Sequence, residues 1–97
     1  MATFITLARY TQQGISKIKD GPNRLDAYRK AVQGAGGSFK SFYLTLGRYD
    51  IVVTTEAPDD AAVARLTLAT GSLGNITTET LRAFTEDEFR KIVASLP

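Results

Sequence analysis

The stretch Leu46-Gly47-Arg48-Tyr49-Asp50-Ile51 constrains the fold more than any other part of the chain. It joins two strand-like runs, Ser38 to Leu46 and Ile51 to Glu56, through a link too short for anything but an antiparallel return. Glycine takes φ > 0 there without steric cost, and the neighbouring aspartate is suited to hydrogen-bond the backbone of the turn. A hairpin therefore sits at the centre of the chain, and the flanking elements must be arranged around it.

Phe4 to Tyr10 reads as a first strand, apolar on both parities at Phe4, Ile5, Leu7 and Ala8, as a central strand would be. Thr11 to Gly21 is polar and reads as a loop with room for one helical turn. Pro22 suits a helix start, and Leu25, Tyr28, Val32 and Ala35 recur on one helical face until Gly34, Gly36 and Gly37 end it. After the hairpin, Ala57-Pro58-Asp59-Asp60 starts a second helix with acidic residues where the helix dipole favours them. Its body, Ala61 to Ala69, is apolar nearly all round and predicts deep burial, and Gly71 and Gly74 stop it. Asn75 to Phe84 is a fourth, threonine-rich strand. Thr85 and Glu88 then fit a capping box, Phe84 and Phe89 a hydrophobic staple, and Phe89, Ile92, Val93 and Leu96 one apolar stripe. The order is βαββαβ with an extra C-terminal helix. That is an α+β, ferredoxin-like antiparallel sheet with helices on one face.

Composition narrows the chemistry. At 97 residues the chain reads as a single domain over 1–97, and its 43% apolar and 23% charged residues are those of an ordinary globular protein. It has no cysteine, which excludes disulfides, thiolate catalysis and Cys-ligated metals. It has no histidine, which removes the commonest general base and the commonest metal ligand. No apolar run reaches membrane length and no export signal is visible at Met1 to Ile5, so a cytoplasmic location without membrane contact is the expectation. Residues 1–50 carry eight basic and three acidic side chains, a net +5; residues 51–97 carry four and seven, a net −3. No aromatic–basic interleaving accompanies this asymmetry, so nucleic acid is not an expected partner.

Alternation assigns the two sheet faces. The greasier parity, Ile5, Leu7, Phe42, Leu44, Leu46, Ile51, Val53, Leu81 and Ala83, is expected beneath the helices. The other parity includes Phe4, Thr6, Ala8, Tyr10, Phe39, Ser41, Tyr43, Val52, Thr54, Glu56, Ile76, Thr78, Thr80 and Arg82. Aromatics, branched residues and small hydroxyls suit burial against a second sheet or around a small ligand better than exposure to water. Two copies stacked face to face would make a dimeric α/β barrel with a cavity between the sheets.

The motifs Tyr10-Thr11-x-x-Gly14, Gly36-Gly37, Phe42-Tyr43, Gly47-x-Tyr49-Asp50, Glu56-Ala57-Pro58-Asp59-Asp60 and Gly71-x-x-Gly74-Asn75 resemble the GYD domain family in order and spacing. Arg48 interrupts the namesake triplet. The resemblance spans nearly the whole chain and implies a ferredoxin-like fold related to dimeric α/β barrels, while leaving function open. A weaker likeness, in a Gly-x-x-Asp turn and the Thr78-Glu79-Thr80 strand, is to the ligand-binding domain of leucine-responsive-type regulators. That domain binds small effectors at subunit interfaces. No helix-turn-helix is present, so DNA binding is not implied.

Three constellations carry candidate chemistry. At the hairpin, Arg48 is placed for a carboxylate or phosphate and Asp50 for a ligand amine, with Tyr49 between them. Alternatively, Asp50 accepts N–H bonds of the turn and Tyr49 packs on the sheet edge. On the unoccupied face, Tyr10, Tyr43, Glu56 and Arg82 supply phenols, one carboxylate and one guanidinium in a mainly apolar lining. Alternatively, they form an interface network in which Arg82 pairs with Glu56 or Glu79. Third, Gln12, Gln13, Lys17 and Lys19 lie in the polar segment after the first strand, which either caps a pocket or merely connects. The carboxylate clusters Asp59-Asp60 and Glu86-Asp87-Glu88 sit in helix first turns, where the dipole explains them, so no metal is expected. Gly34-x-Gly36-Gly37 follows a helix, the wrong order for a phosphate cradle, and no cofactor is expected. The leading expectation is a homo-oligomer that binds a small organic ligand in or near the inter-sheet cavity. The alternatives are a cofactor-independent enzyme of oxygenase or isomerase type on that cavity, using Glu56 or a tyrosine with Arg82, and a pure assembly module.

Overall fold

The hairpin forms, with a shorter first arm than its sequence suggests. In the computed structural model, which describes residues 1–97, strands β1 (Ala2–Tyr10), β2 (Ser38–Leu44), β3 (Ile51–Ala57) and β4 (Ile76–Ala83) make one antiparallel sheet ordered β2-β3-β1-β4. Helix α1 (Gln12–Ser16) and a 3-10 turn (Ile18–Asp20) follow β1, so the polar segment is more structured than the loop expected there. Helices α2 (Gly21–Gly34) and α3 (Asp60–Ser72) cover one face of the sheet, and α4 (Glu86–Ala94) leaves the end of β4. This is the ferredoxin-like α+β arrangement.

The helix-covered face differs from the expected one in two strands, and at the end of β2 the expected core residues Leu44 and Leu46 are exposed, Leu46 lying beyond the strand. Phe4 and Ala8 of β1 are buried, together with Ile51, Val53, Thr55 and Ala57 of β3. The register sets Thr6 opposite Val53 and Thr80, so Thr6 shares the helix side with Val53, while Ile5 and Leu7 turn to the open side. On β4 the same register puts Thr80 and Arg82 on the helix side and Leu81 on the open side. Phe4 is buried with Ala57, Ala62 and Val63 beneath the helices, and alternation from it commits Thr6 and Ala8 to the helix side and Ile5 and Leu7 to the other. Phe39 also moves to the helix side, because a register shift between Phe39 and Ser41 sets it opposite Thr55. It meets Tyr28 edge to face, with ring centroids 6.2 Å apart. Helix α3 is capped by Asp59, whose Oδ1 accepts from the Ala62 N–H at 2.8 Å. It buries Ala62 and Val63 but leaves Leu68 exposed, less than its apolar run predicts.

The recurring motifs meet each other in pairs. Thr11 caps α1 by accepting from the Gly14 N–H at 3.1 Å, and its hydroxyl donates to the Gly74 carbonyl at 2.6 Å. Its N–H donates to the Asn75 carbonyl at 3.1 Å, and Gln13 Nε2 reaches the Leu73 carbonyl and the Asn75 side chain at 3.0 Å each. A Cβ on Gly14 would lie 2.0 Å from the Asn75 carbonyl oxygen, so only glycine permits this approach. Likewise Gly37 lies against the Glu56 carbonyl, where a Cβ would come within 2.5 Å. The motif after α2 therefore docks on the motif that ends β3.

Candidate functional site

The segment between β2 and β3 folds back over the end of β1. Thr45 N–H donates to the Asp50 carbonyl at 2.8 Å and its hydroxyl to the Tyr49 carbonyl at 2.6 Å, closing a turn in which Gly47 has φ 116°. Asp50 N–H donates to the Ala8 carbonyl at 2.9 Å, and Asp50 Oδ2 accepts from the Tyr10 N–H at 2.9 Å. Asp50 thus takes over the backbone pairing of β1 beyond the end of β3. Its bond is to the first strand rather than within its own turn, and that contact occupies one of its two oxygens.

This turn carries Tyr49 toward the far edge of the sheet. The guanidinium of Arg9 stacks over the Tyr49 ring at 5.0 Å, and Arg9 Nε donates to the Arg48 carbonyl at 2.6 Å. The Tyr49 hydroxyl donates to Glu79 Oε2 at 2.5 Å. The Glu79 hydrogen bond is the main cause that pushes the Tyr49 phenol above its ordinary value, with smaller contributions from desolvation and the Glu79 charge. Arg9 and Arg48 pull the other way. Leu7, Arg9, Tyr49, Thr77, Thr78 and Glu79 line an open recess of about 270 Å³. Of the expected site residues the recess holds Tyr49, with Arg48 contributing its backbone to hold Arg9. Arg9 and Glu79 are additions that the sequence reading does not place there. The signal for them is that each is the one charge of its strand on the parity of Ile5, Leu7 and Leu81.

The other expected set is divided. Tyr43 and Glu56 lie on the open face, where Tyr43 pairs in register with Val52 and Glu56 with Thr3. Glu56 is ion-paired to Lys40 at 2.9 Å, not to Arg82. Tyr10 packs on the helix side with Ala8, Ile51 and Val53. Arg82 is on the helix side too, its guanidinium 5.6 Å from the Phe4 ring centroid and 4.4 Å from that of Phe84. It donates to the Thr3 carbonyl at 3.3 Å and to the Ala83 carbonyl. A cavity lined by Tyr10, Tyr43, Glu56 and Arg82 together therefore does not exist in this chain, because the sheet separates them. Gln12 and Lys19 do not gather at the recess, and Gln13 is committed to the contacts around Asn75.

What the open face does present is apolar. Ile5 and Leu7 of β1, Val52 of β3, Tyr43 of β2 and Leu81 of β4 share it, with Arg9, Lys40, Glu56 and Glu79 toward its margins. Helix α4 adds a second apolar surface. Its capping box is complete, with Glu88 N–H donating to Thr85 Oγ1 at 3.2 Å and Thr85 N–H to Glu88 Oε1 at 2.8 Å. The backbone bond from Thr85 is the main cause that holds the Glu88 carboxyl below its ordinary value. The expected stripe Phe89, Ile92, Val93 and Leu96 is present and uncovered, and Phe84 and Phe89 are both more than half exposed. No helix is long and apolar enough to cross a membrane.

Comparison with known proteins agrees with this architecture. The model of the GYD domain family matches residues 4–93. A curated protein of Thermus thermophilus, named glutamine synthetase and cystathionine beta-lyase binding protein, is 36% identical over 84 residues, 86% of this chain and 88% of that protein. The crystal structure of TTHA0845, also from Thermus thermophilus, superposes with a TM-score of 0.56 at 25% identity, covering 88% of this chain and 95% of that one.

Proposed function

The chain belongs to the GYD domain family, and on that premise we propose that it is an interaction module: a homodimer, joined through the open sheet face, that binds a metabolic enzyme. The observation that carries this reading is surface that one copy leaves unfilled. The chain exposes 6525 Å², whereas a compact monomer of 10.5 kDa exposes about 5,400 Å². Its radius of gyration is 14.6 Å, against about 12.5 Å for a compact chain of this length. The excess, about 1,100 Å² per copy, is what one side of a stable protein interface covers. The open face and α4 are the surfaces available to be covered, and both are apolar at their centres with charges at their edges, the usual anatomy of such an interface.

The relative's name directs the choice of partner. The enzymes proposed to bind this protein are of the two kinds named there, glutamine synthetase and cystathionine β-lyase. The test uses the full chain with each enzyme purified from the same organism, at about 10 µM of each, read by light scattering after size exclusion. A complex with at least one of them is the expected result. Dimers that co-elute with neither enzyme overturn the choice of partner.

A second reading keeps the small organic ligand, at different residues from those first expected. Apart from the Nε bond, the guanidinium of Arg9 donates to no protein acceptor, and Glu79 retains an oxygen beyond the one Tyr49 uses. The recess is thus suited to a molecule carrying both a carboxylate and an amine. The catalytic alternative loses its support, since Glu56 and Arg82 lie on opposite faces.

A further inference from the structure

Helix α4 is well made and yet has nothing to pack on. It has both halves of its capping box, three acidic residues in its first turn, and an Arg90–Glu86 ion pair at 2.8 Å. Each of these devices favours the helix. They do not make nine residues a stable one, since isolated helices shorter than about 12–15 residues are marginal in water. What normally completes a short helix is burial of its apolar stripe. Here Phe89, Ile92, Val93 and Leu96 remain 44% to 63% exposed.

The exit of the helix is held in place. Arg82 lies over the ring of Phe4 on β1 and that of Phe84 between β4 and α4, and donates to the carbonyls of Thr3 and Ala83. These contacts aim α4 away from its own sheet, and the molecule is 52 Å long but only 18 Å thick. A helix aimed outward by fixed contacts is placed to meet something else.

We propose that this something is a second copy of the chain, and that the two copies exchange their C-terminal helices. Each α4 seats the Phe89–Ile92–Val93 stripe on its partner, against one outer strand of the open face, at Tyr43 on β2 or at Leu81 on β4. The proposal rests on the dimer described above and adds which copy α4 belongs with. Two sheets stacked face to face cross at an angle because each is twisted, so the corners of the face stay open after the centre is covered. Ile5, Leu7 and Val52 occupy that centre, whereas Tyr43 and Leu81 are on the edge strands and remain 64% and 44% exposed. The area agrees. About 1,100 Å² from each of two copies makes roughly 2,200 Å², within the range of obligate homodimers. Charge does not decide the seat, since Arg9 and Lys40 at the margins of the open face lie beside Glu79 and Glu56.

The absence of cysteine makes the test clean. Val93→Cys is introduced in one preparation and Tyr43→Cys or Leu81→Cys in another, and the two are mixed and oxidised. A disulfide joining residue 93 of one chain to residue 43 or 81 of the other is the expected product. In parallel, sedimentation of Phe89→Asp/Val93→Asp should show the dimer weakened at least about tenfold, with an unchanged far-ultraviolet strand signature because both positions are exposed. A wild-type dimer that the double aspartate leaves intact, with no such disulfide, overturns the exchange and spares the dimer. A wild-type monomer at about 10 µM overturns both. A Val93→Cys/Tyr43→Cys chain that closes a disulfide within itself when diluted into excess wild type places α4 on its own subunit and also ends the proposal.

Discussion

The two ends of the sheet are built on opposite principles. At one end Thr11, Gly14, Gly74 and Asn75 interlock, and Asp50 caps the Tyr10 N–H. These groups are met by other parts of the same chain. At the other end β4 runs into α4, whose apolar stripe meets nothing. The motifs of the family thus divide by the kind of contact they make. The glycine-containing motifs specify self-contact, and the sheet requires them in order to close. The tail stripe is as strongly patterned, but nothing in its own chain covers it. A motif that matches a family can therefore be wholly architectural, and the functional surface can lie where no motif is.

The sharpest way to break this contrast is to add one methyl group inside the interlock and another just outside it. Gly14→Ala directs a Cβ to within 2.0 Å of a backbone oxygen that no rotamer can move. The backbone of α1 or of Asn75 must shift, at a cost of about 3 kcal/mol. For a chain this small, that lowers the melting temperature by on the order of 15 °C. Gly71→Ala, in a helix with no atom within 4 Å of the added Cβ, should instead leave it unchanged or slightly raised. Equal losses in both variants would show that the interlock is not what makes Gly14 special.

Asp50 gives a smaller effect. Asp50→Ala leaves the Tyr10 N–H without its acceptor, which costs about 1–3 kcal/mol for a partly buried donor. Asp50→Asn keeps an oxygen in the same place and should lose less, because only the charge assistance is removed. Chemical denaturation of the two variants measures the difference. If Asn is as damaging as Ala, the carboxylate has a role beyond the strand end, and a ligand amine becomes the better account of it.

The outline of the fold is legible in the sequence because its punctuation is strong. Gly47, the glycines at 34, 36 and 37, Pro58-Asp59-Asp60 and Thr85–Glu88 each stop or start an element by a local mechanism. The sheet faces are only half legible. On β3 the alternation is plain and the assignment of Ile51 and Val53 holds. On β1 both parities are apolar, so hydrophobicity cannot choose between them. Phe4, Thr6, Ala8 and Tyr10 go in and Ile5 and Leu7 go out. That inversion hides Arg9 and Glu79 beside Tyr49, and it groups Tyr10 and Arg82 with residues on the opposite face. A contact across β1, such as Tyr49 to Glu79, is invisible until the register is known.

Tyr49 provides the subtlest probe of that register. Its phenol is raised above the ordinary tyrosine value chiefly by donating to Glu79. The folded state therefore holds this proton more tightly than the unfolded chain does. The stabilisation this confers is fully present below the unfolded value, about 10, and is lost as pH rises through the higher folded value. Phenolate absorbance, taken as the difference between the wild type and Tyr49→Phe, isolates this group from Tyr28, whose own value is raised by burial. Glu79→Ala should move the Tyr49 midpoint downward, since the main cause is removed while Arg9 and Arg48 still favour the phenolate. The half-exposed setting of the ring makes this shift a matter of titration rather than of measurable stability. A midpoint unmoved by Glu79→Ala would mean that the turn does not lie over the open face in solution. The recess between Arg9 and Glu79 would then lose its third wall.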